Sequence, residues 1–136
     1  MVRTGIRASA IIIKDNKILL IHRKNNGEEY WVFPGGGIEE GETPEATVVR
    51  EIKEETNLDA SNVKFVFEME TYKGGNKHPF FFVDVGEGDL KMGGEESGRD
   101  QGVDWYNPEW VEISKVSEIN LVPEGAKAKL IEKWLR

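Results

Sequence analysis

No cysteine occurs among the 136 residues, so the chain can build neither a disulfide framework nor a thiolate metal site. With only His22 and His78, a histidine-rich zinc centre is excluded as well, and any metal must be held by oxygen. Apolar runs are short. None approaches the length of a membrane span, and although Arg3 and Arg7 precede the run SAIII, it stops at Lys14 with no small-residue cleavage site after it. The expected compartment is the cytoplasm, with no membrane partner. Basic residues are outnumbered, 18 against 25 acidic, for a net charge of −7. That balance disfavours a grip on long nucleic acids, whose affinity comes mainly from Lys and Arg on phosphates, yet leaves room for one nucleotide held through a metal. Repeats and low-complexity tracts are absent too, and the length suits a single domain over residues 1–136.

What is there concentrates between Gly36 and Leu58, in the run GGIEEGETPEATVVREIKEETNL. Thr43 is a good N-cap, Pro44 suits the first helical position, and Glu45 lies in the positive first turn, so the pattern predicts a helix from about Pro44 to Thr56. On it Glu51, Glu54 and Glu55 share one face, while Val48, Ile52, Val49 and Ala46 form the expected core face. Arg50 is within i,i+4 reach of Glu54, and the Gly-Gly-Gly run before the helix lets backbone carbonyls come close. Hard oxygen donors in this arrangement suit Mg²⁺ or Mn²⁺. An acidic stripe is also what a solvated helix face looks like, because like charges at these spacings repel by only roughly 0.2–0.5 kcal/mol per pair.

These residues resemble the box of the Nudix hydrolase family: Gly36, Glu42, Arg50, Glu51, Ile52, Glu54, Glu55 and Leu58 match its pattern, and Asn57 stands where the family has glycine. Asparagine adopts the left-handed conformation of a helix C-cap more readily than most residues, so the substitution leaves the chemistry intact. The resemblance implies a Nudix-like α/β/α sandwich with a mixed β-sheet between helices. It also implies metal-dependent hydrolysis of a diphosphate joining a nucleoside to another group. Carried over position by position, Glu51, Glu54 and Glu55 are the metal carboxylates and the Gly36 carbonyl is a further ligand. Glu54 also assists the base, and Arg50 pairs with Glu42 and orients the carboxylates. A nucleotide-binding regulatory module on the same fold is the alternative; such modules usually lose a box glutamate, and this chain keeps all four.

Outside the box the signals thin out. Ile6 to Ile13 and Lys17 to His22 flank a turn at Asp15-Asn16 and read as a hairpin, followed by the polar loop NNGEE, a strand from Tyr30 to Phe33, and the glycine turn. Asn62 to Tyr72 and His78 to Val85 form a second hairpin pair, and the continuous run Phe80 to Val83 suits a strand covered on both faces. Pro108 marks Trp105 to Ile113 as an edge or bulged strand. A C-terminal helix starts near Pro123 with Ala126, Leu130, Ile131 and Trp134 as its buried stripe.

Arg23 can meet phosphate as a bidentate donor or stand as an exposed strand-end residue. Glu95 and Glu96 lie in a glycine-rich loop, Gly86 to Gly102, where Nudix enzymes often keep an additional base; Glu96 is the first choice, with solvated loop charges as the other reading. Trp31, Phe80, Trp105 and Tyr106 are base-stacking or core aromatics, and His78 reads as a surface histidine. The diphosphate chemistry leaves the substrate open among triphosphates, which the small size favours, oxidised nucleotides, ADP-ribose-like compounds and others. A homodimer is the commonest closed assembly.

Overall fold

Period-two apolar patterning and paired Asn, Asp and Gly residues give nine strands, with two α-helices, among the described residues. The computed structural model describes residues 3–70, 76–91 and 105–135. In order they are β1 Arg3–Ile11, β2 Ile13–Lys14, β3 Lys17–Asn25, β4 Glu28–Val32, β5 Gly35–Glu39, α1 Pro44–Thr56, β6 Ala60–Glu70, β7 Lys77–Val85, β8 Trp105–Glu112, a 3-10 helix Ile113–Glu118, β9 Leu121–Val122 and α2 Glu124–Trp134. The class is α/β, as expected, and the mixed sheet is realised as two mixed sheets. Among the described residues no helix is long and apolar enough to cross a membrane.

The chain divides into two compact units, Met1–Ile13 with Pro34–Asp89 and Lys14–Phe33 with Leu90–Arg136. The first holds the sheet β5-β1-β7-β6 and helix α1. Here β1 runs antiparallel to β5, setting Arg7, Ala8 and Ser9 opposite Gly37, Gly36 and Gly35, and parallel to β7, with Ser9 opposite Phe80. The glycine run expected as a turn is therefore a strand. Phe80, Phe81 and Val83 are buried on an inner strand, together with Ala8, Ala10, Ile11, Val48 and Ile52. β6 and β7 pair antiparallel from Ala60↔Val85 to Glu70↔Lys77, as the second hairpin predicts. Tyr72, Gly74 and Gly75 lie outside the described residues.

In the second unit β3 pairs with β4 on one side and β8 on the other, and β9 joins β4 in parallel. Two sequence readings need correction. Only β2, two residues long, pairs with β3 across the Asp15-Asn16 turn, because most of Ile6 to Ile13 belongs to the other sheet. The NNGEE segment is not a loop: Asn26 and Gly27, with φ of 56° and 83°, make a two-residue turn between β3 and β4. β8 runs unbulged against β3, so Pro108 is tolerated because no other described strand pairs with β8. In α2, Ala126 and Leu130 are buried as expected, whereas Trp134 is 38% exposed.

Candidate active site

Helix α1 begins where its sequence predicts. Thr43 accepts a bond from the Ala46 N–H at 3.1 Å, and Pro44 occupies the first turn. It ends on Asn57, at φ 73°, whose N–H donates to the Lys53 carbonyl at 3.0 Å. The side turned toward the protein carries Thr47, Val48, Glu51, Ile52 and Thr56. Ala46 and Val49 are exposed, contrary to expectation. Glu51 and Thr47 take their place because the helix lies on glycine: a Cβ at Gly36 would occupy the space of the Glu51 carboxylate.

That close approach sets the geometry. The Glu51 side chain is only 9% exposed and accepts from Arg50 Nη1 at 3.0 Å; Glu54, 57% exposed, lies 3.4 Å from the same nitrogen. Glu55 accepts the Gly35 N–H at 3.0 Å, joining the helix to β5. Arg50 is gripped from the other side by Glu42, through Nε at 2.8 Å and Nη2 at 2.9 Å, a bidentate pair, and Nη2 also donates to the Gly37 carbonyl at 3.2 Å. Glu42 takes two further donors, the Thr47 hydroxyl at 2.7 Å and the Glu39 N–H at 3.1 Å. The Arg50 guanidinium, then Thr47 and the Glu39 backbone, hold the Glu42 carboxyl down to about 2. Glu42 and then Glu51 keep the Arg50 guanidinium firmly charged against its partial burial.

The site residues read from the sequence thus come together in one unit: Gly36, Glu42, Arg50, Glu51, Glu54 and Glu55, with Asn57 closing the helix. Glu39 and Thr47 were missed. Thr47 sits one turn after the N-cap and three residues before Arg50, a spacing that puts it on the Arg50 side of the helix. Hard carboxylate oxygens are the donor set Mg²⁺ or Mn²⁺ takes. Among the described residues, however, no three His, Asp or Glu side chains stand close enough to cage an ion as they are, and Arg50 lies across two of the carboxylates.

Arg23 belongs to the second unit. It is half-buried within β3 between Tyr30 and Tyr106 rather than exposed at a strand end, and its Nε is buried without a hydrogen-bond partner. Glu95 and Glu96 lie outside the described residues. Phe80 is fully buried and is core; Trp31 stacks on His22 at 4.0 Å with Trp105 edge-on at 4.9 Å. His78 is not a surface histidine. Its Nε2 lies 2.7 Å from the Ser9 hydroxyl and its ring stacks on Phe80, and burial, with Arg7 nearby, pushes it down to about 4.

The NUDIX domain family model matches residues 3–129. The chain belongs to the NUDIX family. An ADP-ribose pyrophosphatase from Methanocaldococcus jannaschii is 44% identical over 97 residues, covering 65% of this chain and 56% of that protein. An RNA pyrophosphohydrolase from Psychromonas ingrahamii is 45% identical over 56 residues, 41% of this chain and 31% of its own. The chain thus spans only about a third to just over half the length of these curated relatives. Among solved structures, a NUDIX hydrolase from Clostridium perfringens superposes with a TM-score of 0.70 at 15% identity, covering 97% of this chain and 95% of that one. MutT from Aliivibrio salmonicida and Vibrio cholerae gives 0.66 at 23% identity, covering 94% and 97%. At these identities the structures share the NUDIX fold.

Proposed function

We propose that this NUDIX chain is a divalent-metal-dependent pyrophosphohydrolase that cleaves a diphosphate linking a nucleoside to another group. The observation that carries the reading is the Arg50–Glu42 clamp, which fixes Arg50 against Glu51 and Glu54 on a helix laid over the Gly36 strand. Glu51, Glu54 and Glu55, with the Gly36 carbonyl, would hold Mg²⁺ or Mn²⁺, and Glu54 is the most exposed of the Arg50-bound carboxylates. When bound, the metal neutralises phosphate charge and polarises the attacked phosphorus. Glu54 then orients or deprotonates water, Glu55 stays tied to the Gly35 N–H, and Arg50 keeps Glu51 aimed. Arg23 is kept as a proposed phosphate contact, a guanidinium being able to donate to phosphate oxygens as a fork. Glu96 remains the proposed additional base. The proposed compartment is the cytoplasm.

ADP-ribose heads the substrate list, ahead of triphosphates, because the relative so named matches over the longer stretch. The test is a panel of ADP-ribose, ordinary and oxidised nucleoside triphosphates, sugar nucleotides and a 5′-triphosphorylated RNA oligonucleotide, assayed with Mg²⁺, with Mn²⁺ and with chelator. Turnover of at least one member is expected only with metal, and Glu54→Gln or Glu55→Gln is expected to lower it by about 10²-fold or more. Metal-independent turnover, near-normal activity of Glu55→Gln with intact circular dichroism, or binding of the panel without hydrolysis would each overturn the assignment.

A further inference from the structure

Ser9 and His78 meet behind the strand that carries the box glycines. Among the described strands β5 is at the edge of its sheet and pairs with β1 alone. Beyond the register shift that follows Arg3, the pairing rests on Arg7↔Gly37, Ala8↔Gly36 and Ser9↔Gly35. Three successive glycines offer no side chain by which neighbouring elements could locate β5. The approach at Gly35 is correspondingly close: a Cβ there would collide with the Ala8 carbonyl and fall 2.7 Å from Ser9 Cα and 3.0 Å from Ser9 Oγ. Gly35 in turn gives its N–H to Glu55 at 3.0 Å. The Ser9 side chain therefore lies directly against the residue that tethers one of the proposed metal carboxylates. Since successive side chains alternate along a strand and Gly36 faces Glu51, Ser9 presses on Gly35 from the sheet face turned away from α1.

What fixes Ser9 is His78. The serine is 2% exposed, and among the described residues its hydroxyl has a single partner, His78 Nε2 at 2.7 Å. Parallel pairing of β1 with β7 brings the imidazole there, and the ring stacks on Phe80 at 4.5 Å. Burial, with Arg7 close by, favours the neutral ring, which can accept from the hydroxyl through Nε2. A serine beside a histidine also invites reading as a nucleophile with its base. Burial argues against that role, because so covered a hydroxyl meets no substrate, and no carboxylate among the described residues bonds the ring to orient it.

On the metal-dependent reading, we infer that Ser9 and His78 are positioning residues: their hydrogen bond seats β1 against Gly35 and so fixes Glu55 and the adjoining Gly36 carbonyl as metal donors. Neither touches metal or substrate. A hydroxyl held in one rotamer leaves Gly35 one seat on β1; once released it can turn, and an edge strand of glycines gains play. Partners that orient metal ligands in this way are typically worth about 10–100-fold in metal affinity.

Ser9→Ala, His78→Leu and His78→Gln test this in the full chain, metal-free and with Mn²⁺. In the metal-free protein, amide exchange followed by NMR should show the Gly35 N–H at least about 10-fold faster, relative to the N–H of Leu20 buried in β3, in Ser9→Ala and His78→Leu. His78→Gln keeps an acceptor at that reach and should stay near wild type. Mn²⁺ titrations read by electron paramagnetic resonance should show binding about 10-fold weaker in the same two variants. Combining them should weaken it no further, because both remove one bond. If His78→Leu misfolds by circular dichroism, Ser9→Ala decides. Unchanged Gly35 exchange in Ser9→Ala, or Gly35 and Leu20 speeding up together, overturns the positioning role. A wild type that binds no Mn²⁺ sinks the metal-dependent reading instead, and the metal-free exchange still decides whether the pair seats Gly35.

Discussion

Four donors converge on the Glu42 carboxylate, and its folded value near 2 against an ordinary 4.5 makes it a source of pH-dependent stability. The folded state favours the ionised form, so the contribution is complete above about 4.5 and is lost as pH falls toward about 2. Glu42→Gln keeps the shape and removes the charge. In urea titrations from pH 7 downward, the stability gap between wild type and variant should hold steady to about 4.5 and then close. A gap that is the same at both ends of this range would mean the Arg50 pair contributes nothing through charge. The Glu42–Arg50 pairing was legible because motif spacing fixes both ends within one loop and helix. The Ser9–His78 contact was not, since only the parallel pairing of β1 and β7 brings those residues together across 69 positions.

At the scale of the element, caps and helix limits followed from local chemistry, while helix facing did not. Hydrophobicity put Val49 inward; glycine in β5 put Glu51 there, because at Gly36 no side chain keeps a carboxylate from lying against the strand. The same depletion of glycine in ordinary strands hid β5 as a turn. Gly36→Ala is therefore expected to push the Glu51 carboxylate aside. A misplacement of this order costs about 10²-fold in turnover, and far-UV circular dichroism should not change. An alanine variant within about threefold of wild type would show that Glu51 placement is unimportant. Asn57→Gly is the contrasting case. At φ 73° both residues sit well, so stability should move by less than about 1 kcal/mol and turnover by no more than a fewfold. A gain of orders of magnitude would mark the asparagine as a device that silences the site.

At the scale of the molecule, neither compact unit is a continuous stretch of chain: the polypeptide leaves the first at Ile13, returns at Pro34 and leaves again after Asp89. Strand order along a sequence does not say which sheet a strand joins, so this division was illegible from the residues. The family match nevertheless runs through both units, from residue 3 to 129. A segment cut from its own continuation cannot easily complete a fold alone, so the chain should unfold as one domain. The tryptophans provide the probe: Trp31, Trp105, Trp110 and Trp134 all lie in the second unit. Ile52 is fully buried in the first, where truncation to alanine costs about 2–5 kcal/mol. In urea, Ile52→Ala should shift the tryptophan fluorescence midpoint by as much as the far-UV midpoint, with both transitions remaining single. If the fluorescence transition instead stays at its wild-type position while the far-UV signal moves, the two units unfold independently and the single-domain reading fails.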